Sequence, residues 1–194
     1  MDLHTLHGER VNVRRFAMDD LDAIHRILDV ELDGLDGAEH LAARRRWLEW
    51  SVLNYDALAS LHQPPYGDRA VVLRETGELI GACGLAPVLL PFDQLPSRGA
   101  ASPIPGLTSS EIGLFWAIAP AQQRCGYAAE AGRLLIDYAF SNLRLARIVA
   151  TTEYDNPASQ RVMQKLGMRL ERNPHAEPPW MQIVATLENP ARDA

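Results

Sequence analysis

The sequence predicts a mixed α/β fold, a central sheet flanked by helices, and three observations carry that prediction. Segments with apolar residues at alternate positions are interleaved with segments whose apolar residues recur every three to four positions. One strand segment, Ile112 to Ile118, is apolar on both faces and therefore suits the middle of a layered sheet. The order of segments reads β-α-α-β-β-β-α-β-α-β-β, which neither a bundle nor a sandwich explains.

The chain has 194 residues, the size of one domain, and it is read as a single domain over 1–194. Hydrophobic residues make up 47% and charged residues 23%, which excludes a disordered chain. No apolar run is long enough for a membrane span. Met1-Asp2-Leu3-His4 is not a basic region followed by an apolar stretch, so no signal peptide and a cytoplasmic location are expected. The net charge is −6 and basic residues are interspersed with acidic ones, which argues against nucleic acid as the main partner. Cys83 and Cys125 have no paired spacing, and His4 and His7 are the only close histidines, so neither a disulfide framework nor a metal site is expected.

Val11, Val13 and Phe16 mark the first strand. Asp19 or Asp20 can cap a helix that places Leu21, Ile24, Ile27 and Leu28 on one face, and Gly34 and Gly37 break it. A second helix, 38–59, carries Leu41, Leu48, Val52 and Tyr55 on its apolar face. Residues 70–74 and 79–85 form an antiparallel hairpin across Glu75-Thr76-Gly77-Glu78. Residues 87–109 are rich in proline and small residues, too long for a simple hairpin loop, and mark a functional or mobile segment. After the doubly apolar strand comes a helix, 128–142, with Ala131, Leu134, Leu135 and Tyr138 inward. A strand at 147–152, a helix at 157–166 and strands at 168–170 and 181–187 complete the chain.

Chemistry is concentrated where the central strand turns into the next helix. The turn reads Gln122-Gln123-Arg124-Cys125-Gly126-Tyr127-Ala128. A helix N-terminus offers unsatisfied N–H groups and a positive dipole end to phosphate. Gly126 lets backbone approach an anion, Ala128 keeps the wall thin and Arg124 adds a charge-assisted contact. Neither a P-loop nor a Rossmann glycine pattern is present.

Gln123 to Ala128 matches the pyrophosphate motif of the GNAT N-acetyltransferases: Gln or Arg, two residues, Gly, one residue, then Gly or Ala. A second block, Asn156-Pro157-Ala158-Ser159 through Leu166-Gly167-Met168, resembles the family's Asn–Ser–Leu-Gly signature. Trp116-Ala117-Ile118-Ala119-Pro120 and Gly126 to Ala131 are similar to the branch that includes the ribosomal-protein N-terminal acetyltransferases. The resemblance implies the GNAT fold: about seven strands, with two central parallel strands splaying to admit acetyl-CoA. It implies that backbone groups of Ala117, Ile118 and Ala119 pair with the pantetheine arm, and that Gln123, Arg124, Cys125, Gly126, Tyr127 and Ala128 hold the diphosphate. Asn156 would lie near the pantetheine, and Asn before Pro also makes a standard helix start. Ser159 would touch the cofactor or departing thiol, or would satisfy a local backbone group.

The implied activity is direct transfer of acetyl from acetyl-CoA to a primary amine in a ternary complex. An alkylammonium, with a pKa near about 10, must lose a proton before it attacks a thioester. Glu111, at the start of the central strand, is the expected base, with Glu153, Tyr154 and Asp155 as rivals. The tyrosine that many relatives use as leaving-group acid aligns with Met163, which cannot donate a proton. The acceptor is a protein N-terminal amine or a small-molecule amine. Trp47, Trp50, Tyr55, Pro65 and Tyr66, or His175 and Glu177, are candidate linings of its site. A non-catalytic acyl-CoA-binding or sensory protein on the same fold stays open. The resemblance also implies a homodimer.

Overall fold

Alternation along the chain is matched by alternation in burial. Val11 and Val13 are buried while Asn12 and Arg14 are only half so, which gives β2 (Val11–Arg14) one core-facing side. A two-residue strand, β1 (Leu6–His7), precedes it and pairs antiparallel with it. The computed structural model describes residues 5–98 and 107–192. These belong to two compact units, Met1–Leu85 with Phe115–Asp137, and Ala86–Leu114 with Tyr138–Ala194.

In the first unit β2 pairs antiparallel with β3 (Gly67–Leu73), and β3 with β4 (Leu79–Leu90). Helix α1 (Leu21–His25) begins after a 3₁₀ turn and runs on into a π-helical segment, Arg26–Leu32. Asp20 does not cap it forward. Its carboxylate turns back to take the Ala17 N–H at 2.8 Å and both Arg14 guanidinium nitrogens at 2.7 and 2.8 Å, and this two-pronged charge-assisted contact outcompetes a cap. Gly34 and Gly37, at φ +70° and +135°, end the segment as expected. Helix α2 (Ala38–Ser60) follows. Leu21, Ile24, Ile27, Leu48, Ala70 and Val72 build one core between the helices and the strands. Leu41, Val52 and Leu28 are partly buried against it.

In the second unit β6 (Arg147–Thr152) pairs antiparallel with β8 (Ile183–Glu188), which pairs antiparallel with β7 (Arg169–Arg172). Strand β5 (Ser109–Ile118) runs parallel to β6 with Gly113 opposite Val149. Phe92, Leu95, Val149, Met181 and Val184 form a second core. Helix α4 (Pro157–Lys165) is capped by Asn156, whose Oδ1 accepts the Ser159 N–H at 3.0 Å. Helix α3 (Tyr127–Ser141) buries Ala131, Leu135, Ile136 and Ala139.

The strand order is β1-β2-β3-β4-β5-β6-β8-β7, a mixed sheet of eight strands against the seven or so expected. The extra strand is β1, too short to register as alternation. Strand β4 runs on to Leu90 and a 3₁₀ turn occupies Phe92–Gln94, so the segment 87–109 is not all loop. Residues 99–106 of it lie outside the described residues.

Two aromatics expected at an acceptor groove are core residues instead. Trp47 packs edge-on against Phe16, with ring centroids 5.4 Å apart. Tyr55 is buried, accepts the Phe16 N–H at 3.0 Å and donates to the Asp68 carbonyl at 2.6 Å, and burial pushes its phenol pKa up. Replacing Tyr55 with Phe orphans a buried donor and an acceptor while leaving the ring. It is expected to destabilise the fold by about 2–4 kcal/mol in urea unfolding. An unchanged midpoint would show that the hydroxyl contributes nothing.

Candidate functional site

The strand-to-helix turn is held by its own backbone geometry. Arg124 sits at φ +64° and Gly126 at φ +89°. For arginine the left-handed region costs roughly 1–2 kcal/mol, a strain that surrounding contacts must sustain. Alternation of hand along successive residues is how peptide N–H groups converge into a concave anion site. Among the described residues, the N–H groups of Arg124, Cys125, Gly126 and Tyr127 have no acceptor. The first bond of the helix runs from the Glu130 N–H to the Gly126 carbonyl at 3.0 Å. These four amides lie at the N-terminal, positive end of a helix of fifteen residues.

Gln123 to Ala128 form the turn between β5 and α3 and the start of that helix. Gln123 points its side chain back, and its Nε2 donates to the Ile118 carbonyl at 3.0 Å. It therefore braces the turn against the strand end. The Cys125 Sγ lies 3.5 Å from the Gln123 carbonyl, on the turn itself. Cys83 is fully buried, and burial pushes its thiol well above the ordinary range, so it is no nucleophile.

On β5, Ala117 and Ala119 turn their peptide groups toward β4. The Ala119 N–H donates to the Ile80 carbonyl at 2.8 Å, and a Cβ on Gly81 would stand 2.1 Å from the Ala117 oxygen. Peptide groups alternate between the two edges of a strand. The groups on the opposite edge therefore belong to Trp116 and Ile118. Of the three residues expected to offer backbone to the pantetheine, only Ile118 keeps that orientation, and Trp116 replaces the two alanines.

Arg10 and Glu130 were not expected. The Glu130 Oε1 accepts the N–H groups of Arg10 at 2.7 Å and Val11 at 3.1 Å. Its Oε2 accepts Arg10 Nε at 2.9 Å. Arg10 also donates through Nη1 to the Cys125 carbonyl at 3.0 Å and lies over the Tyr127 ring at 5.0 Å. A Cβ on Gly126 would come within 3.4 Å of Arg10 Nη2. Burial pushes the Glu130 carboxyl up, but the hydrogen bonds from Arg10 and Val11 and the Arg10 charge outweigh it and hold the pKa below the ordinary range. An acidic residue in a first helical turn was visible in the sequence, whereas its partner 120 positions earlier was not.

Glu111 is a clamp. Its Oε1 pairs with Arg98 at 2.7 Å and Arg147 at 2.8 Å, its Oε2 accepts Arg147 Nε at 2.8 Å, and 8% of its side chain is exposed. The pairing with Glu111 in turn raises the Arg147 pKa. With Arg147, Pro87, Ile112 and Leu145 it lines a cavity of about 450 Å³. Both carboxylate oxygens are already neutralised by guanidinium forks, so an ammonium would have to displace them before Glu111 could take a proton. Glu111 is thus a paired carboxylate, not the free one expected at the start of the strand.

In the second unit Asn156 acts as the cap, and the Ser159 Oγ bonds no described residue. Met163 is buried in the packed face of α4, where it donates nothing. The hydroxyl of Tyr154, one of the rival bases, donates to the Asn173 carbonyl. Glu153 is half-buried with no partner among the described residues, and Asp155 is exposed. His175 and Glu177 lie in an exposed stretch between β7 and β8. No group of three or more His, Cys, Asp or Glu among the described residues is arranged to hold a metal. No helix among them is long and apolar enough to cross a membrane.

Residues 10–169 match the sequence model of the GNAT acetyltransferase domain. Two uncharacterised N-acetyltransferases of Bacillus subtilis are similar to the chain. YnaD is 46% identical over 61 residues, 31% of this chain and 35% of YnaD. YoaA is 29% identical over 168 residues, 86% of this chain and 83% of YoaA. An acetyltransferase structure from Agrobacterium tumefaciens shares the fold at TM-score 0.65 and 26% identity, over 97% of this chain and 96% of that one. A ribosomal-protein-S5-alanine acetyltransferase from Vibrio fischeri shares it at TM-score 0.64 and 16% identity, over 96% and 97%. The fold, the cradle and the family match agree: this chain belongs to the GNAT acetyltransferase family, and its structural neighbours include ribosomal-protein acetyltransferases.

The Glu130 contacts carry a pH signature. A carboxyl whose folded pKa lies below its unfolded value, about 4.3, adds stability that is complete above pH 5 or so. That stability is lost as pH falls through the folded value. The variant Glu130→Gln is expected to be less stable than wild type at pH 7, with the gap closing as pH drops below about 4. Parallel stability curves for the two proteins would show that the carboxylate is not held as described.

Proposed function

We propose that this chain transfers the acetyl group of acetyl-CoA to a primary amine, that of a protein N-terminus or of a small molecule, by direct attack in a ternary complex. The observation that carries the reading is the strained turn at Arg124–Gly126, whose converging amides no described residue satisfies. A polar concavity of that kind has no structural purpose of its own and suits the diphosphate of a coenzyme A thioester. A sensory role without chemistry finds no support in the relatives that carry N-acetyltransferase names.

The chain's groups divide the work. The amides of Arg124 to Tyr127 hold the two phosphates, with Ala128 as a thin wall behind them. The free strand edge at Trp116 and Ile118 pairs with the amides of the pantetheine arm. The same edge places an N–H group where the thioester oxygen gains charge in the tetrahedral intermediate. Attack by the neutral amine forms the C–N bond, the C–S bond breaks, and the thiol leaves without help from Met163. The Ser159 hydroxyl, which bonds no described residue, stays a candidate contact of the departing sulfur.

A side chain on Gly126 would carry left-handed strain and project toward Arg10. The variant Gly126→Val is therefore expected to bind acetyl-CoA at least ten-fold more weakly in calorimetry, with the fold retained by circular dichroism. Wild-type affinity in that variant would remove the diphosphate from this turn. Thiol release from acetyl-CoA with a serine-initiated peptide, spermidine and kanamycin tests the reaction itself. No release with any of the three would count against transfer to amines.

A further inference from the structure

Within the first unit, three charged side chains form a buried relay at the junction of α1 and α2. His25 Nδ1 lies 2.7 Å from Asp29 Oδ2. Arg44 closes on the same carboxylate with Nε at 2.9 Å from Oδ2 and Nη2 at 2.6 Å from Oδ1. Arg44 itself stacks on the Trp47 ring at 4.8 Å. Burial alone would push the Asp29 carboxyl up, but Arg44 and His25 override it and keep it below the ordinary range. An ionised carboxylate only accepts hydrogen bonds, so Nδ1 is the protonated nitrogen of His25. The lone pair is then on Nε2, which bonds no described residue. The ring is not sealed, since 12% of its surface stays exposed.

The position of this pair is as informative as its chemistry. His25 is the last residue of α1, and Asp29 lies in the π-helical segment that follows. π-Helical turns are rare and recur at functional sites. This one packs against Pro120–Gln122, the 3₁₀ turn that leads into the phosphate cradle. Ile24, next to His25, shares a core with Phe115 and Ala119, the residues that flank the free edge at Trp116 and Ile118. Glu111 is paired with two arginines, which leaves Glu153 and Asp155 as the carboxylates, among the groups first expected to supply a base, that bond no described residue.

We propose that His25 is the catalytic base: its Nε2 takes a proton from the acceptor's ammonium, while Asp29 and Arg44 fix the ring's tautomer and direction. This rests on the N-acetyltransferase reading and names the group that makes it work. The proton moves from the ammonium to Nε2, the neutral amine forms the C–N bond, and the thiolate leaves with the C–S electron pair. The imidazolium then returns its proton to the thiolate. The amide nitrogen loses its extra proton to solvent, which completes the balance for an amine that entered charged.

His25→Asn is the decisive variant, because the Asn amide still donates to Asp29 and keeps α1 tied to α2. The expected result is a fall in kcat of about 10²-fold or more with the peptide, polyamine or aminoglycoside that wild type acetylates best. Acetyl-CoA affinity and thermal midpoint stay at wild-type values, and added imidazole restores turnover in proportion to its concentration. Asp29→Asn gives a smaller fall that imidazole does not restore. Undiminished turnover in His25→Asn, or loss of turnover that tracks loss of acetyl-CoA binding, overturns the assignment. So does a nitrogen-15 spectrum showing the proton of neutral His25 on Nε2. Loss of turnover in Glu153→Gln with His25→Asn intact would place the base on that carboxylate instead. If wild type acetylates none of the three amines, the transferase reading beneath the proposal fails together with it.

Discussion

The Glu130 carboxylate is the contact on which the site depends. A left-handed arginine and a left-handed glycine two residues apart make a costly turn, braced at its start by the Gln123 side chain on the Ile118 carbonyl. Glu130 supplies the restraint from the first turn of α3. It gathers the start of β2 through two backbone N–H groups and fixes Arg10, which in turn holds the carbonyl of Cys125. Because the turn's carbonyl is held by Arg10, its amides are left facing away with nothing to bond. A strained backbone persists only where neighbouring contacts over-determine it, and here Glu130, Arg10 and Gln123 supply them.

Several buried or half-buried carboxylates are each enclosed by an opposite charge. Asp20 is taken by Arg14, Asp29 by Arg44 and Glu111 by Arg98 and Arg147. Glu111 and Asp29 differ in what remains. At Glu111 the guanidiniums use both oxygens. At Asp29 the histidine shares an oxygen with Arg44, and its other nitrogen is left over. An arginine-rich chain supports this design, because a guanidinium fork can satisfy both oxygens of a carboxylate where a lysine cannot.

Much of this was legible in the residues. Val11 and Val13, the hairpin around Gly77 and the apolar faces of Ile112 to Ile118 forecast their strands because period-two burial is a local property. The left-handed turn before α3 was legible because Gly126 tolerates positive φ directly ahead of a helical pattern. Asn156 before Pro157 announced a cap, and the cap is there. The errors have a common cause. Trp47 and Tyr55 looked like groove linings, but whether an aromatic on α2 faces a core or an opening depends on Phe16 and Asp68, which are remote in the chain. His25 and Asp29 are four positions apart, so their pairing was visible in principle as a helical neighbour contact. The arginine that turns the pair into a relay was not.

By itself the sequence determined the alternation of strands and helices, the position of the glycine turn that opens α3 and the family to which the chain belongs. Those depend on side-chain type at short spacing, where a few bonds link one residue to the next. Only the tertiary structure decided which ionisable groups are free to act. It neutralised Glu111, turned the peptides of Ala117 and Ala119 toward β4 and away from the open edge, and placed Arg44 on Asp29. A charge interacts through space, and its availability is set by whichever opposite charge folding brings within about 3 Å of it.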